Sequence, residues 1–294
     1  MTLEQMIINL NGIIVRREEA RISVLDHGFL YGASVYETLR TYGGIPFLLD
    51  AHLTRLRESA QGICLNLPFS DSQIKEEVWK SLRAGNNPES ALRIIVTCGE
   101  GDLGYDPALC PSPSFVLLVY PLVPPPQEIY EKGVAVSLVS VQRNLAGALN
   151  PAVKSGNLLN PKLAWMEANR KGAYEALMQN YKGELTECAM SNLFLVRNGA
   201  LKTPAPECGI LPGLTRNLVL QVARDQSINA QETSLFPADL FEADEAFLTA
   251  TSREIVPVVR CDERVIGTGC PGPLTQWLHE RYRDKVMALM KQCE

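Results

Sequence analysis

The chain has 294 residues, enough for two domains of ordinary size and for most of its apolar surface to be buried without cross-links. Hydrophobic residues make up 46% and charged residues 21%, which excludes a disordered or low-complexity chain. The net charge of −5 argues against the clustered basic surface that grips a nucleic-acid backbone. No apolar run reaches the length of a membrane span, and MTLEQMIINLNG has no basic region ahead of an apolar core. A cytoplasmic protein without a signal peptide is expected.

The first periodic segment, MIINLNGIIV, reads as a hairpin turning at Asn11-Gly12. SVYETLRTYGGIPFLL gives two more strands about Gly43-Gly44. Asp50 is placed as the N-cap of a helix that carries Leu53, Leu56 and Ala60 on one face, and residues 70–84 read as a second helix. Two strands follow, ALRIIVTC and SFVLLVY, so this half is an antiparallel sheet with helices. Pro121-Leu-Val-Pro-Pro-Pro126 then resists any regular element and marks a boundary. The predicted division is a small α+β domain over 1–120, a Pro-rich linker over 121–127 and a larger domain over 128–294. In the latter, GVAVSLVSV, EALMQN, NLFLVRNGALKTP and EAFLTAT read as strands. Residues 158–171, LTRNLVLQVARDQ and GPLTQWLHERYRDKVMALMKQ read as helices.

Eight cysteines (64, 98, 110, 188, 208, 261, 270 and 293) form no C-x-x-C pair and have only three histidines for company. Neither a zinc site nor a disulfide framework is expected, and no metal is implied. Gly99-Glu-Gly101-Asp-Leu-Gly104 fits G-x-G-x-x-G, but Pro107, Pro111 and Pro113 follow too closely for the helix a dinucleotide site needs, so the segment is a loop. In Ile210-Leu-Pro-Gly-Leu-Thr-Arg216, Pro212-Gly213 makes a turn, with Thr215 or a near neighbour capping a helix from about Asn217. That start is either an anion site or an ordinary cap. Thr249, Thr251 and Ser252 end a strand and offer hydroxyls to a phosphate or to a turn. Lys154, among small and apolar residues, is a Schiff-base nucleophile or simply one basic residue of 28. Glu187, in an apolar stretch, wants a cationic partner if half-buried, and the plain reading of Arg55 is a surface ion pair.

Taken together, DHGFLYGASVYETLRTY (26–42), HLTRL (52–56), VKSGNLLNPKLAWMEA (153–168), GAYEAL (172–177), LTECAMSNLFLVRNGALKTP (185–204), ILPGLTR (210–216) and LTATSREIVPV (248–258) resemble the class IV aminotransferases, the fold-type IV pyridoxal-phosphate family. The resemblance runs nearly end to end. It implies a mixed α+β and α/β fold of two domains with the active site between them, and a homodimer or higher homo-oligomer. It also assigns residues. Lys154 matches the lysine that binds pyridoxal 5'-phosphate covalently, and Glu187 the carboxylate facing the pyridine nitrogen. Arg55, Leu214, Thr215 and Thr251 match the phosphate cradle, while Tyr31, Tyr36 and Arg93 match positions facing substrate.

LRIIVTCGEGDLGYDP and IYEKGVAV resemble the branched-chain branch most. What this implies is ping-pong transfer of the amino group of a branched-chain L-amino acid to 2-oxoglutarate. Ala91, Cys98 and Leu158 depart from that branch's pattern. D-amino-acid aminotransferase and 4-amino-4-deoxychorismate lyase therefore stay open as alternatives.

Overall fold

A computed structural model describes residues 5–292. The opening residues of MTLEQMIINLNG and Cys293 lie outside the described residues. The described chain divides into two compact units. One runs through Val123 and takes in Val153–Asn157; the other comprises Pro124–Ala152 and the chain from Leu158 onward. Lys154 therefore clusters with the first unit, whereas the sequence reading puts 128–294 in one domain.

The first unit begins with β1 (Ile7–Leu10) and β2 (Ile13–Val15). Asn11 and Gly12 between them have φ of 51° and 86°, the conformation a two-residue hairpin turn requires and these residue types tolerate. There follow α1 (His27–Leu30), β3 (Ser34–Tyr42), β4 (Ile45–Pro46), α2 (Leu49–Gly62), α3 (Asp71–Gly85), β5 (Ser90–Glu100) and β6 (Ser112–Pro121). The sheet order is β2-β1-β6-β5-β3-β4, antiparallel throughout. Strand alternation sends Val35 and Leu39, with Leu92, Ile94 and Val96, to one face. There they pack with Leu53 and Leu56 of α2 and Ile74 and Val78 of α3. Each such side chain contributes about 1.5–3 kcal/mol when fully buried.

Two local expectations are corrected here. Asp50 is not the cap of α2. Leu48, in the left-handed region, occupies that position without a side-chain bond, and Asp50 sits in the first turn, where it pairs with Lys75. The helix starts two residues earlier than expected, directly after the left-handed Leu48, and the carboxylate still favours the positive end of the helix. α3, by contrast, has a full capping box between Ser70 and Gln73. Gly99, the first glycine of the G-x-G-x-x-G match, has φ of 88° and lies where the β5–β6 register shifts. A Cβ there would collide with the Ser112 carbonyl, so the glycine serves a bulge rather than a phosphate.

The second unit contains α4 (Glu128–Lys132), β7 (Val134–Leu138), α5 (Leu159–Arg170), β8 (Glu175–Gln179), β9 (Leu185–Cys188), β10 (Asn192–Arg197) and β11 (Ala200–Pro204). It continues with α6 (Leu214–Asp225), β12 (Ala230–Thr233), α7 (Pro237–Phe241), β13 (Glu245–Ala250), β14 (Glu254–Cys261), β15 (Arg264–Val265) and α8 (Pro273–Met290). The strand order is β12-β11-β10-β13-β14-β7-β8-β9, with β15 on β14. β9 also returns to pair with β10 through Glu187 and Asn192, so six of these strands close a ring. Val136, Leu177, Leu193, Leu195, Leu248 and Val256 fill its core. β14 is a strand that the sequence reading lacks, because Pro257 interrupts EIVPVVRC. Four of the seven described cysteines (110, 188, 208 and 261) are buried.

Candidate active site

In the first unit, residues 153–157 lie along the free side of β3. The Tyr36 amide donates to the Lys154 carbonyl (3.0 Å), the Gly156 amide to the Ser34 carbonyl (2.7 Å), and Val35 bridges Ser155. The Lys154 amide itself donates to Ser59 Oγ on α2 at 3.0 Å. Sheet register therefore fixes Lys154 beside Tyr36. Lys154 Nζ donates to Tyr36 Oη at 3.4 Å and lies 4.4 Å from the ring centroid; the Arg93 guanidinium is 4.3 Å from the same centroid. Three of the predicted site residues thus come together. Tyr31 belongs to another group: its hydroxyl accepts from the Gly104 amide (3.3 Å), and its ring packs on His27 and Tyr105.

Arg55 is not the surface ion pair of the plain reading. It is 9% exposed, and its Nε and Nη2 donate to the two oxygens of Glu37 at 2.7 and 2.8 Å. His52 Nδ1 donates to Glu37 Oε2 at 2.7 Å. Burial would push the Glu37 carboxyl up, but the hydrogen bonds from Arg55 and His52 and the guanidinium charge outweigh it, bringing it down to about 2. Burial lowers His52 against the opposing pull of Glu37. The helix spacing of His52 and Arg55 is legible in HLTRL; their partner on β3 is not.

In the second unit, Glu187 on β9 is 7% exposed and surrounded by donors. Oε1 accepts from Arg143 Nε at 2.9 Å, while Oε2 accepts from the Asn192 amide at 3.1 Å and the Leu211 backbone at 3.0 Å. The cationic partner that its setting calls for is Arg143, 44 residues upstream. Neither Arg143 nor Asn192 stands out in the sequence. A carboxylate held among donors in this way acts as an acceptor toward anything else that approaches.

The helix at ILPGLTR begins at Leu214, not near Asn217, and its N-cap is Gly213 with no side-chain bond. Thr215 is therefore inside the first turn, which leaves the opening amides without a side-chain cap. A Cβ on Gly213 would overlap Asn192 Oδ1. Thr249 faces Asn192 across the β10–β13 ladder, and its hydroxyl is buried with no hydrogen-bond partner among the described residues. Thr251 lies in the turn that follows β13. Open helix amides and an unpaired buried hydroxyl, both beside Asn192, suit an anion. Within the second unit, this anion site and the acceptor carboxylate of Glu187 suit a phosphorylated heteroaromatic ring; within the first unit, the amine of Lys154 suits an aldehyde.

Residues 34–261 match the family described as amino-transferase class IV. A Methanocaldococcus jannaschii protein, provisionally named a branched-chain-amino-acid aminotransferase, is 41% identical over 279 residues, covering 95% of this chain and 96% of its own. A D-alanine aminotransferase of Bacillus licheniformis is 30% identical, covering 96% of this chain and 98% of its own. The crystal structure of the T.th. branched-chain amino acid aminotransferase with pyridoxamine 5'-phosphate superposes with a TM-score of 0.91. It is 32% identical and covers 95% of this chain and 93% of its own.

Proposed function

The chain belongs to the class IV aminotransferases, and from that membership we propose that it moves the amino group of a branched-chain L-amino acid to 2-oxoglutarate with pyridoxal 5'-phosphate as cofactor. The observation that carries the reading is Lys154, its backbone anchored to β3 and Ser59 and its amine set against Tyr36, whose ring also meets the Arg93 guanidinium. When bound, the cofactor supplies the electron sink needed when a substrate loses its Cα proton. Lys154 Nζ is the base that takes this proton and later returns it. Glu187, held by Arg143, Asn192 and Leu211, would hold the cofactor by accepting from its pyridine nitrogen. Arg55 and Thr251, with Leu214 and Thr215 partly through their amides, would hold the phosphate. Arg93 binds a substrate carboxylate, and Tyr31 and Tyr36 line the substrate site.

A homodimer in the cytoplasm belongs to the same proposal. What supports the dimer is apolar surface in the first unit: Val24, Phe29, Leu103 and Tyr105 are at least 71% exposed. His27 and Tyr31 tie the two segments that carry them together.

The visible absorption spectrum of the purified protein tests the function. A yellow band that L-leucine bleaches without any keto acid is expected. A band that L-leucine leaves unchanged but D-alanine bleaches would replace the substrate with a D-amino acid, the activity named for the Bacillus licheniformis relative. Pyruvate released from aminodeoxychorismate without an amino acceptor would make it a lyase. No band after adding pyridoxal phosphate would overturn the reading of Lys154.

A further inference from the structure

Tyr36 does more than line a wall. Its place is set twice over. The β3 register with residues 153–157 fixes its backbone opposite Lys154, and stacking of the Arg93 guanidinium, two residues from its cross-strand partner Ile95, holds its ring. With the ring so fixed, the hydroxyl is aimed at Lys154 Nζ. No carboxylate among the described residues of the first unit pairs with Lys154 or Arg93, so the phenol ring is the common neighbour of both cations.

A lysine amine on a four-carbon stem has wide rotamer freedom, which a base that must meet one proton at one atom has to lose. A hydroxyl that accepts one N–H removes much of that freedom and leaves the nitrogen lone pair directed elsewhere. We propose that Tyr36 is a positioning residue for Lys154: its hydroxyl accepts a hydrogen bond from Nζ whenever the amine is free and holds it where it exchanges the Cα proton. This rests on the reading of Lys154 as the cofactor-linked lysine.

The test compares wild type, Tyr36→Phe and Lys154→Ala. Tyr36→Phe keeps the ring and its stacking on Arg93 and removes only the hydroxyl. Two readouts are taken: steady-state kinetics of the holoenzyme, and, on the apoprotein, the rate of acetic anhydride labelling at Lys154 at one fixed pH, read by peptide mass spectrometry. Tyr36→Phe is expected to lower kcat about a hundredfold with KM within about twofold, and to raise the labelling rate of Lys154 about threefold by releasing its amine from the hydroxyl.

A raised KM with kcat unchanged would make Tyr36 a pocket wall only and overturn the proposal. So would a Lys154 labelling rate identical to wild type. If wild type binds no pyridoxal phosphate, or Lys154→Ala retains full turnover, the reading of Lys154 falls and takes this proposal with it. A wild type that is active and yellow beside a Tyr36→Phe protein indistinguishable from it sinks the role of the hydroxyl alone.

Discussion

Arg55 illustrates how much one residue's environment adds to its identity. A basic residue in HLTRL reads as a helix-surface charge, yet its partner Glu37, 18 residues earlier on β3, is fully buried and binds it through both oxygens. Removing one member of a buried pair leaves the other charge uncompensated, so Glu37→Gln is expected to lower stability by about 3–5 kcal/mol at neutral pH. The pH dependence follows from the depressed Glu37 carboxyl. Its contribution is complete above the ordinary carboxylate range and is lost as pH falls from about 4.5 to about 2. His52, depressed by burial, acts in the same direction as pH falls below the ordinary histidine range. Urea unfolding at several acidic pH values should show a flatter acid limb in the variant; an unchanged slope would contradict the pairing. The mutant should also bind pyridoxal phosphate more weakly, since Arg55 would lose the group that orients it.

Among the elements, α6 and the segment 153–157 carry several of the proposed site residues. The Pro212-Gly213 turn is readable, but the hydroxyl of Thr215 suggests a cap that the backbone does not use, because the helix has already begun at Leu214. Gly213 is needed for close approach. Its missing Cβ leaves room for the Asn192 carboxamide, which donates to Glu187 and to the Leu211 carbonyl. Gly213→Ala must therefore push aside a side chain that is already committed. An overpacking loss of about 1–3 kcal/mol is expected, with a smaller rise in melting temperature on adding pyridoxal phosphate than in wild type. Thermal unfolding with and without the cofactor checks both; an equal rise in the two proteins would detach Asn192 from the site. β9, which carries Glu187, is four residues long and buried throughout, so it shows no alternation from which a strand could be read.

At the scale of the molecule, the exposed apolar side chains of the first unit predict association. Sedimentation velocity should give a species of twice 32.4 kDa. Phe29→Asp combined with Tyr105→Asp should shift it toward the monomer; wild type sedimenting as a monomer at micromolar concentration would remove the dimer from the proposal. Order and type of most helices and strands, and the family, were legible in the sequence, because period, turn chemistry and motif spacing are local properties. The pairs Glu37–Arg55, Arg143–Glu187 and Tyr36–Lys154 were not. Their members stand 18, 44 and 118 residues apart. Which of many charged side chains meets which is set by strand register and by packing around a closed sheet. Register is a property of two distant segments at once, and only the folded chain brings them together.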